Sequence, residues 1–378
     1  MAADPLRGEQ HDEHSGTAGP ECRPISLFIP GLEGGGAQRV FVNLANTLVD
    51  MAECPIHLVV IREGGVFQDE LRPEVNLVNL GTGRVSRSIP ALVRYMRTHR
   101  PRVFASTMNY SNIITILAWR LAGRPCRLVV REANVVREGN RLMRALMRWF
   151  YPQADCVIAL SPEIRESLLQ SGIPVADRIV EIGNPGVFHP VDGKPEAPPF
   201  LPQPTPRFIC AVGSLGHQKG FDVLLAAFVR LSDPALHLVI LGEGPLRGQL
   251  EEQARALGIK ERVHMPGFVK RPTDVISQAE VFVLSSRWEG FPNVLLEALY
   301  SGTPVVSTDC EGAPRSMLEN GRHGHLVAPD DPGALCEGIE AVLVAPVGTL
   351  DSRRARAEDF SAETITRTYL EQAFQISA

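Results

Sequence analysis

Short apolar runs alternate with helix-length segments along nearly the whole chain, and the rhythm is interrupted once, by eight prolines between Asn184 and Pro206. Alternation of this kind is the signature of strand-helix-strand units, which assemble into parallel sheets covered by helices. Proline lacks an N–H and fixes φ, so the interrupting segment suits neither a helix interior nor a central strand. A length of 378 residues is about twice an ordinary domain. The organisation expected is therefore a polar N-terminal tail (1–24), a first doubly wound α/β domain (25–183), a proline-rich linker (184–206), a second such domain (207–355) and a C-terminal helix (356–378).

In the first domain the expected strands are Ile25 to Ile29, Ile56 to Ile61, Val75 to Leu80, Val103 to Ser106, Leu128 to Arg131 and Cys156 to Leu160. In the second they are Phe208 to Val212, His237 to Leu241, Val263 to Met265, Val281 to Leu284 and Val305 to Ser307. Ser361 is a suitable N-cap for a last helix running to about Gln375, with Ile365, Tyr369, Leu370 and Phe374 at helical spacing. That helix has the pattern to pack on either domain.

Several classes of protein are disfavoured by composition. Seven cysteines stand singly, an odd number without C-x-x-C spacing, which argues against a zinc site or a disulfide framework and suits a reduced, cytoplasmic setting. The first 24 residues lack the apolar core of a signal peptide, and no apolar run approaches the roughly 20 residues of a membrane span. Any membrane contact is thus expected to be peripheral.

Charge is distributed unevenly. Residues 84–148 carry 14 arginines against Glu132 and Glu138, whereas the chain from Asn184 onward has 17 basic and 24 acidic residues. Arg137, Arg141, Arg144 and Arg148 follow one another at spacings of four, three and four, so a helix aligns them on one face, with Leu142, Met143, Leu146, Met147, Trp149 and Phe150 around them. Such a basic amphipathic helix fits an anionic membrane surface or a phosphate-bearing lipid acceptor. Nucleic acid is not expected as a partner, because no aromatic stacking platform or nucleic-acid motif accompanies the charge.

The richest chemistry follows the strand Val281 to Leu284, where R-W-E-G-F-P-N leaves the sheet and a helix begins. In open α/β sheets ligands bind beyond these carboxyl ends, and free N–H groups at a helix start accept phosphate or sugar oxygens. Pro292 suits the first helical turn, Gly290 permits close backbone approach, and Glu289 and Glu297 lie eight residues apart, one on the loop and one along the helix. Two carboxylates so placed suit a ligand with two sets of hydroxyls. A second element, G-S-L-G-H-Q-K-G-F-D (Gly213 to Asp222), brings Lys219 to the start of the next helix, where a cation can neutralise a phosphate leaving group. A third is the loop G-G-G-A-Q-R (Gly34 to Arg39), after the strand Ile25 to Ile29 and before a helix, where three glycines let backbone approach an anion closely.

These segments, with L-L-E-A-L-Y-S-G-T-P-V-V-S-T-D-C and G-R-H-G-H-L-V-A-P-D-D, resemble retaining glycosyltransferase family 4 over nearly all of the chain after the linker. The resemblance implies a GT-B fold, two Rossmann-like doubly wound parallel-sheet domains facing a cleft, with the acceptor on the first and a nucleotide sugar on the second. It implies that Glu297 binds ribose hydroxyls and that Glu289, with the Gly290 and Phe291 backbone, binds the transferred sugar. Lys219 and Gly213 would meet the diphosphate, Gly35 and Gly36 would face it across the cleft, and Pro292 and Val269 would complete the donor site. Ser214 stands where the family usually has an arginine, which leaves Lys219 as the one assigned phosphate cation.

The same resemblance implies retention by front-face substitution, without a metal or other cofactor, and transfer of a hexose or N-acetylhexosamine from a UDP-sugar to a lipid-linked or glycan acceptor. Asn109, Asn112 and Arg131, at strand ends facing the expected cleft, are the acceptor candidates. Asp309 with Glu311 and Asp330 with Asp331 are carboxylate pairs without further hard-cation ligands nearby in sequence, and His217, His264, His323 and His325 lack ligand spacing. A GT-B-fold nucleotide-sugar epimerase and a catalytically inactive membrane-associated relative are the alternatives.

Overall fold

The computed structural model describes residues 23–33, 35–136, 141–188 and 196–377. Two parallel sheets organise them. The first contains β1 (Ile25–Phe28), β2 (Ile56–Val60), β3 (Val75–Asn79), β4 (Val103–Thr107), β5 (Arg127–Glu132), β6 (Cys156–Ala159) and β7 (Ile179–Glu181), in the order β3-β2-β1-β4-β5-β6-β7. The second contains β8 (Phe208–Val212), β9 (His237–Leu241), β10 (Val263–Gly267), β11 (Val281–Leu284), β12 (Val305–Thr308) and β13 (His325–Val327), in the order β10-β9-β8-β11-β12-β13. Every pairing is parallel, and the central strands are buried on both faces, as helix-covered parallel sheets require.

Each expected strand is present. The two additional ones, β7 and β13, have three residues each and lie at sheet edges, too short and too exposed to leave an apolar run. In both sheets the winding reverses direction at the centre, between β1 and β4 and between β8 and β11. Crevices for ligands open at such reversals, and the candidate residues gather there.

The described part of 184–206 contains no helix or strand; residues 189–195 lie outside the described residues. The C-terminal segment forms helices Leu350–Glu358 and Ala362–Thr368, and a continuation, Tyr369–Phe374, wound more widely as a π-helix. Ser361 caps the second of these, its side chain accepting from the Thr364 N–H at 3.3 Å. Tyr369, Leu370 and Phe374 are buried in the large core that runs through both domains, the segment packs on β5 and β6, and Arg127 Nε on β5 donates to the Ala373 carbonyl at 2.7 Å. Of the two packing options the chain takes the first domain, so its C-terminus straps both halves together.

Candidate functional site

The site begins at β8 and β11, which are neighbours in the second sheet. After β8 the chain makes one tight turn, His217–Lys219, and after β11 it makes the loop that carries Glu289. Adjacency of the strands brings the two side chains together: Lys219 Nζ donates to Glu289 Oε1 at 2.6 Å. Ser286 Oγ donates to the same oxygen at 2.6 Å, and Gln218 Nε2 reaches Oε2 at 3.4 Å. Glu289 is 4% exposed, so this carboxylate is desolvated, balanced by one cation and aimed by two polar neighbours. The lysine stem lies along Gly213: a Cβ there would stand 3.0 Å from Lys219 Cε. Ser214 is exposed at the rim.

The loop is pinned from the next strand end as well. Glu289 N–H donates to the Glu311 carbonyl at 2.8 Å, and Thr308 bonds back to the Leu284 and Ser286 carbonyls. Gly290 touches the other domain. A Cβ at this position would sit 2.0 Å from the Ala133 carbonyl oxygen, a contact only glycine allows. Phe291 packs edge-on against Phe360, ring centroids 5.5 Å apart.

The helix after this loop, the candidate donor-side helix, runs from Asn293 to Ser301, with Pro292 as the residue before it and not within its first turn. Glu297 lies in the second turn. Its Oε2 is buried without a hydrogen-bond partner, and burial pushes the carboxyl up to about 7, with Arg39 across the cleft pulling it back down. Glu297 and Arg39 line a cavity of about 680 Å³ between the domains, together with Asn43, Asn293, Lys270 and Arg271. Val269 is half-buried beside this mouth, and its neighbour Phe268 is 74% exposed.

On the first-domain side Gly35 caps the helix Gly36–Met51, and Gly34 lies outside the described residues. Asn109 is exposed at the end of β4. The other two acceptor candidates are turned inward. Asn112 accepts from Ser106 Oγ at 2.8 Å and donates to the Arg131 carbonyl and the Tyr151 hydroxyl oxygen at 3.0 and 3.1 Å. Arg131, 2% exposed, donates to Thr107 Oγ1 at 2.7 Å and to Asn184 Oδ1. Asn184 then donates to Asn293 Oδ1 at 2.7 Å. The arginine thus joins the end of β5 to the start of the donor-side helix through the crossover residue, a positioning chain that sequence spacing could not suggest. Glu132 is held by the Tyr151 hydroxyl at 2.7 Å, and burial raises its carboxyl above the ordinary range.

A second interdomain cavity, of about 910 Å³, is lined by Arg144, Glu163, Arg165, Asp309, Glu311 and Arg315 among others. Arg144 also borders a surface hollow shared with Arg141, Arg148 and Trp149. These belong to the helix Arg141–Phe150, whose Leu142 and Trp149 are 71% and 69% exposed; Arg137 lies outside the described residues. No described helix is long and apolar enough to cross a membrane.

Of the two remaining carboxylate pairs, Glu311 is exposed and lines the second cavity, and the other three are occupied locally. Asp309 pairs with Arg315, Asp330 with Arg287 at 2.6 Å, and Asp331 caps the helix Pro332–Val344. Gln218, Ser286, Asn184, Asn293 and Arg39 are the site residues that sequence reading passed over. All but Asn184 stood inside a noted segment: Gln218 beside Lys219, Arg39 in the glycine loop, and Ser286 and Asn293 in the stretch around Glu289.

Comparison with known proteins accounts for both halves. Residues 34–185 match the model described as Glycosyltransferase Family 4, and residues 194–359 match Glycosyl transferases group 1. The chain is 28% identical, over 84% of its length and 90% of the relative's, to the N-acetylgalactosamine-N,N'-diacetylbacillosaminyl-diphospho-undecaprenol 4-alpha-N-acetylgalactosaminyltransferase of Campylobacter jejuni. It is also 28% identical, over 89% of its length and 95% of the relative's, to the lipopolysaccharide core biosynthesis glycosyltransferase LpsE of Rhizobium meliloti. Among solved structures, Anabaena HepE in complex with UDP-glucose superposes with a TM-score of 0.75 at 18% identity, covering 93% of this chain and all of that one.

Proposed function

We propose that this chain, a glycosyltransferase of the GT-B fold, is a retaining enzyme that moves a hexose or N-acetylhexosamine from a UDP-sugar to a lipid-linked glycan at a membrane surface. The observation that carries this reading is the desolvated Glu289–Lys219 pair at the β8/β11 reversal, with Glu297 and its unbonded buried oxygen on the helix that follows the Glu289 loop, lining the interdomain cavity. The nucleotide's ribose hydroxyls donate to Glu297, the diphosphate lies toward Lys219 and the N–H groups that open the helix at Asn293, and the sugar hydroxyls meet Glu289. In transfer the bond from the anomeric carbon to the phosphate oxygen breaks. The acceptor oxygen bonds to the same face, and its proton passes to the departing phosphate. Lys219 stabilises the charge that develops there.

The acceptor reading rests on the second cavity and the helix beside it. Arg144 is common to the interdomain cavity and to the exposed hollow next to Trp149, so an apolar anchor, a phosphate and a glycan can follow one path from membrane to cleft. The named acceptors and products of the two relatives, a diphospho-undecaprenol glycan and the lipopolysaccharide core, are of this chemical kind.

Incubation with UDP-glucose, UDP-galactose and their N-acetyl forms, together with undecaprenyl-diphosphate-linked saccharides, tests the reading by mass spectrometry. A product heavier by one hexose or N-acetylhexosamine, with the α configuration retained and lost in Glu289→Ala, is expected. Interconversion of sugar isomers without an acceptor would instead identify an epimerase, and no turnover with any pair would favour the inactive relative.

A further inference from the structure

A nucleoside diphosphate brings at least two negative charges into the cleft, and the second domain offers little free cation to meet them. Lys219 is held at 2.6 Å by Glu289, so the pair together is close to neutral. Arg287, the next cation on that rim, is committed to Asp222 at 2.7 Å and Asp330 at 2.6 Å. Arg247 is committed to Glu243 and Glu251, and Ser214 presents only a hydroxyl.

Across the cleft the situation differs. Arg39, in the first turn of the helix Gly36–Met51, has no carboxylate within 4 Å among the described residues, and its guanidinium rests over the Phe67 ring at 5.2 Å. A cation held by an aromatic face is restrained weakly, by about 0.5–2 kcal/mol, and keeps its hydrogen-bond donors for a ligand. The cavity it enters is walled on the far side by Asn293, the first residue of the donor-side helix, and by Glu297.

We infer that Arg39 supplies the donor's diphosphate with its second cation, delivered by the first domain across the closed cleft. The inference rests on the donor reading of Glu297 and goes beyond it: nucleotide affinity then depends on both domains. The guanidinium fork suits a diphosphate, whose oxygens accept two parallel N–H bonds. Lys270 lines the same cavity and also lacks a carboxylate partner, but it is exposed on the outer loop after β10 and is the rival to be tested.

Titration of UDP and of uridine into the wild type, Arg39→Ala, Arg39→Lys and Lys270→Ala, followed by ligand-observed NMR, decides the matter. Arg39→Ala is expected to weaken UDP about 10-fold or more while changing uridine less than about two-fold, as loss of charged hydrogen bonds to phosphate alone predicts. Arg39→Lys, which keeps the charge but not the fork and guards against a folding artefact, should recover part of the UDP affinity. Unchanged UDP binding in Arg39→Ala, parallel loss of uridine, or a larger loss in Lys270→Ala would each overturn the assignment. If the wild type bound neither UDP nor uridine, the donor reading itself would fail and this inference with it.

Discussion

Lys219 Nζ lies 2.6 Å from Glu289 Oε1, although 70 residues separate them, because β8 and β11 run side by side and each turns into the cleft at the same level. Both side chains are mostly withdrawn from water, at 15% and 5% exposure. Removing one member of such a pair leaves the other charge uncompensated, at a cost of about 3–5 kcal/mol. Lys219→Ala should therefore be markedly destabilised in urea unfolding. The double variant Lys219→Ala/Glu289→Gln should regain most of that stability and none of the transfer activity. Equal stability of the single and double variants would show that the unpaired Glu289 carboxylate carries no burial penalty.

Glu297 gives a prediction of opposite sign. Its carboxyl stands at about 7 against an ordinary 4.5, because burial disfavours the charged form. A group whose folded value is raised contributes its full stability below the unfolded value and loses it as pH rises through the folded value. Glu297→Gln should match the wild type near pH 4.5 and be more stable at pH 8, by at most about 3 kcal/mol. Nucleotide affinity should fall at least about 10-fold in the variant at pH 8. In the wild type it should decline as pH drops below about 7, which calorimetry across pH 6–8 can follow.

Gly290→Ala probes the closed cleft. The added methyl meets the Ala133 carbonyl of the opposing domain, a backbone atom that cannot swing aside. The domains must part by about 1 Å or more, and misplacement on that scale costs about 100-fold in rate. The kcat/KM should drop by about that factor with Tm little changed. A drop in Tm without a change in rate would place the strain inside one domain.

For the helix Arg141–Phe150, each arginine at an anionic surface is worth about 1 kcal/mol, or about five-fold in binding. Arg141→Glu and Trp149→Ser should each reduce sedimentation with vesicles containing anionic lipid, and the wild-type interaction should weaken as salt rises from 0.05 to about 0.5 M. Salt-insensitive binding, or none, would remove the membrane from the proposed function.

How much of this was legible beforehand follows from how each feature is encoded. Eleven strands were visible as apolar runs because strands of helix-covered parallel sheets are buried on both faces; β7 and β13, three residues at the edges, were not. Glu289, Glu297 and Lys219 could be singled out as candidates because loop, glycine and helix start are local in sequence. Arg131 and Asn112 were placed at the right strand ends, but whether a side chain there turns to the cleft or the interior depends on packing partners. Tyr151, Asn184 and Thr107, far away in sequence, are what turn them inward.

The chain by itself determined two parallel-sheet domains, the prolines between them and the local motifs at strand ends, because periodicity, proline geometry and loop chemistry act over a few residues. Only the tertiary structure decided which domain receives the C-terminal helix, that Arg131 reaches Asn293 through Asn184, and that Lys219 meets Glu289. Those outcomes depend on strand order and on contacts between residues tens to hundreds of positions apart. Pairing of that range is set by burying two cores at once, and no short stretch of sequence contains it.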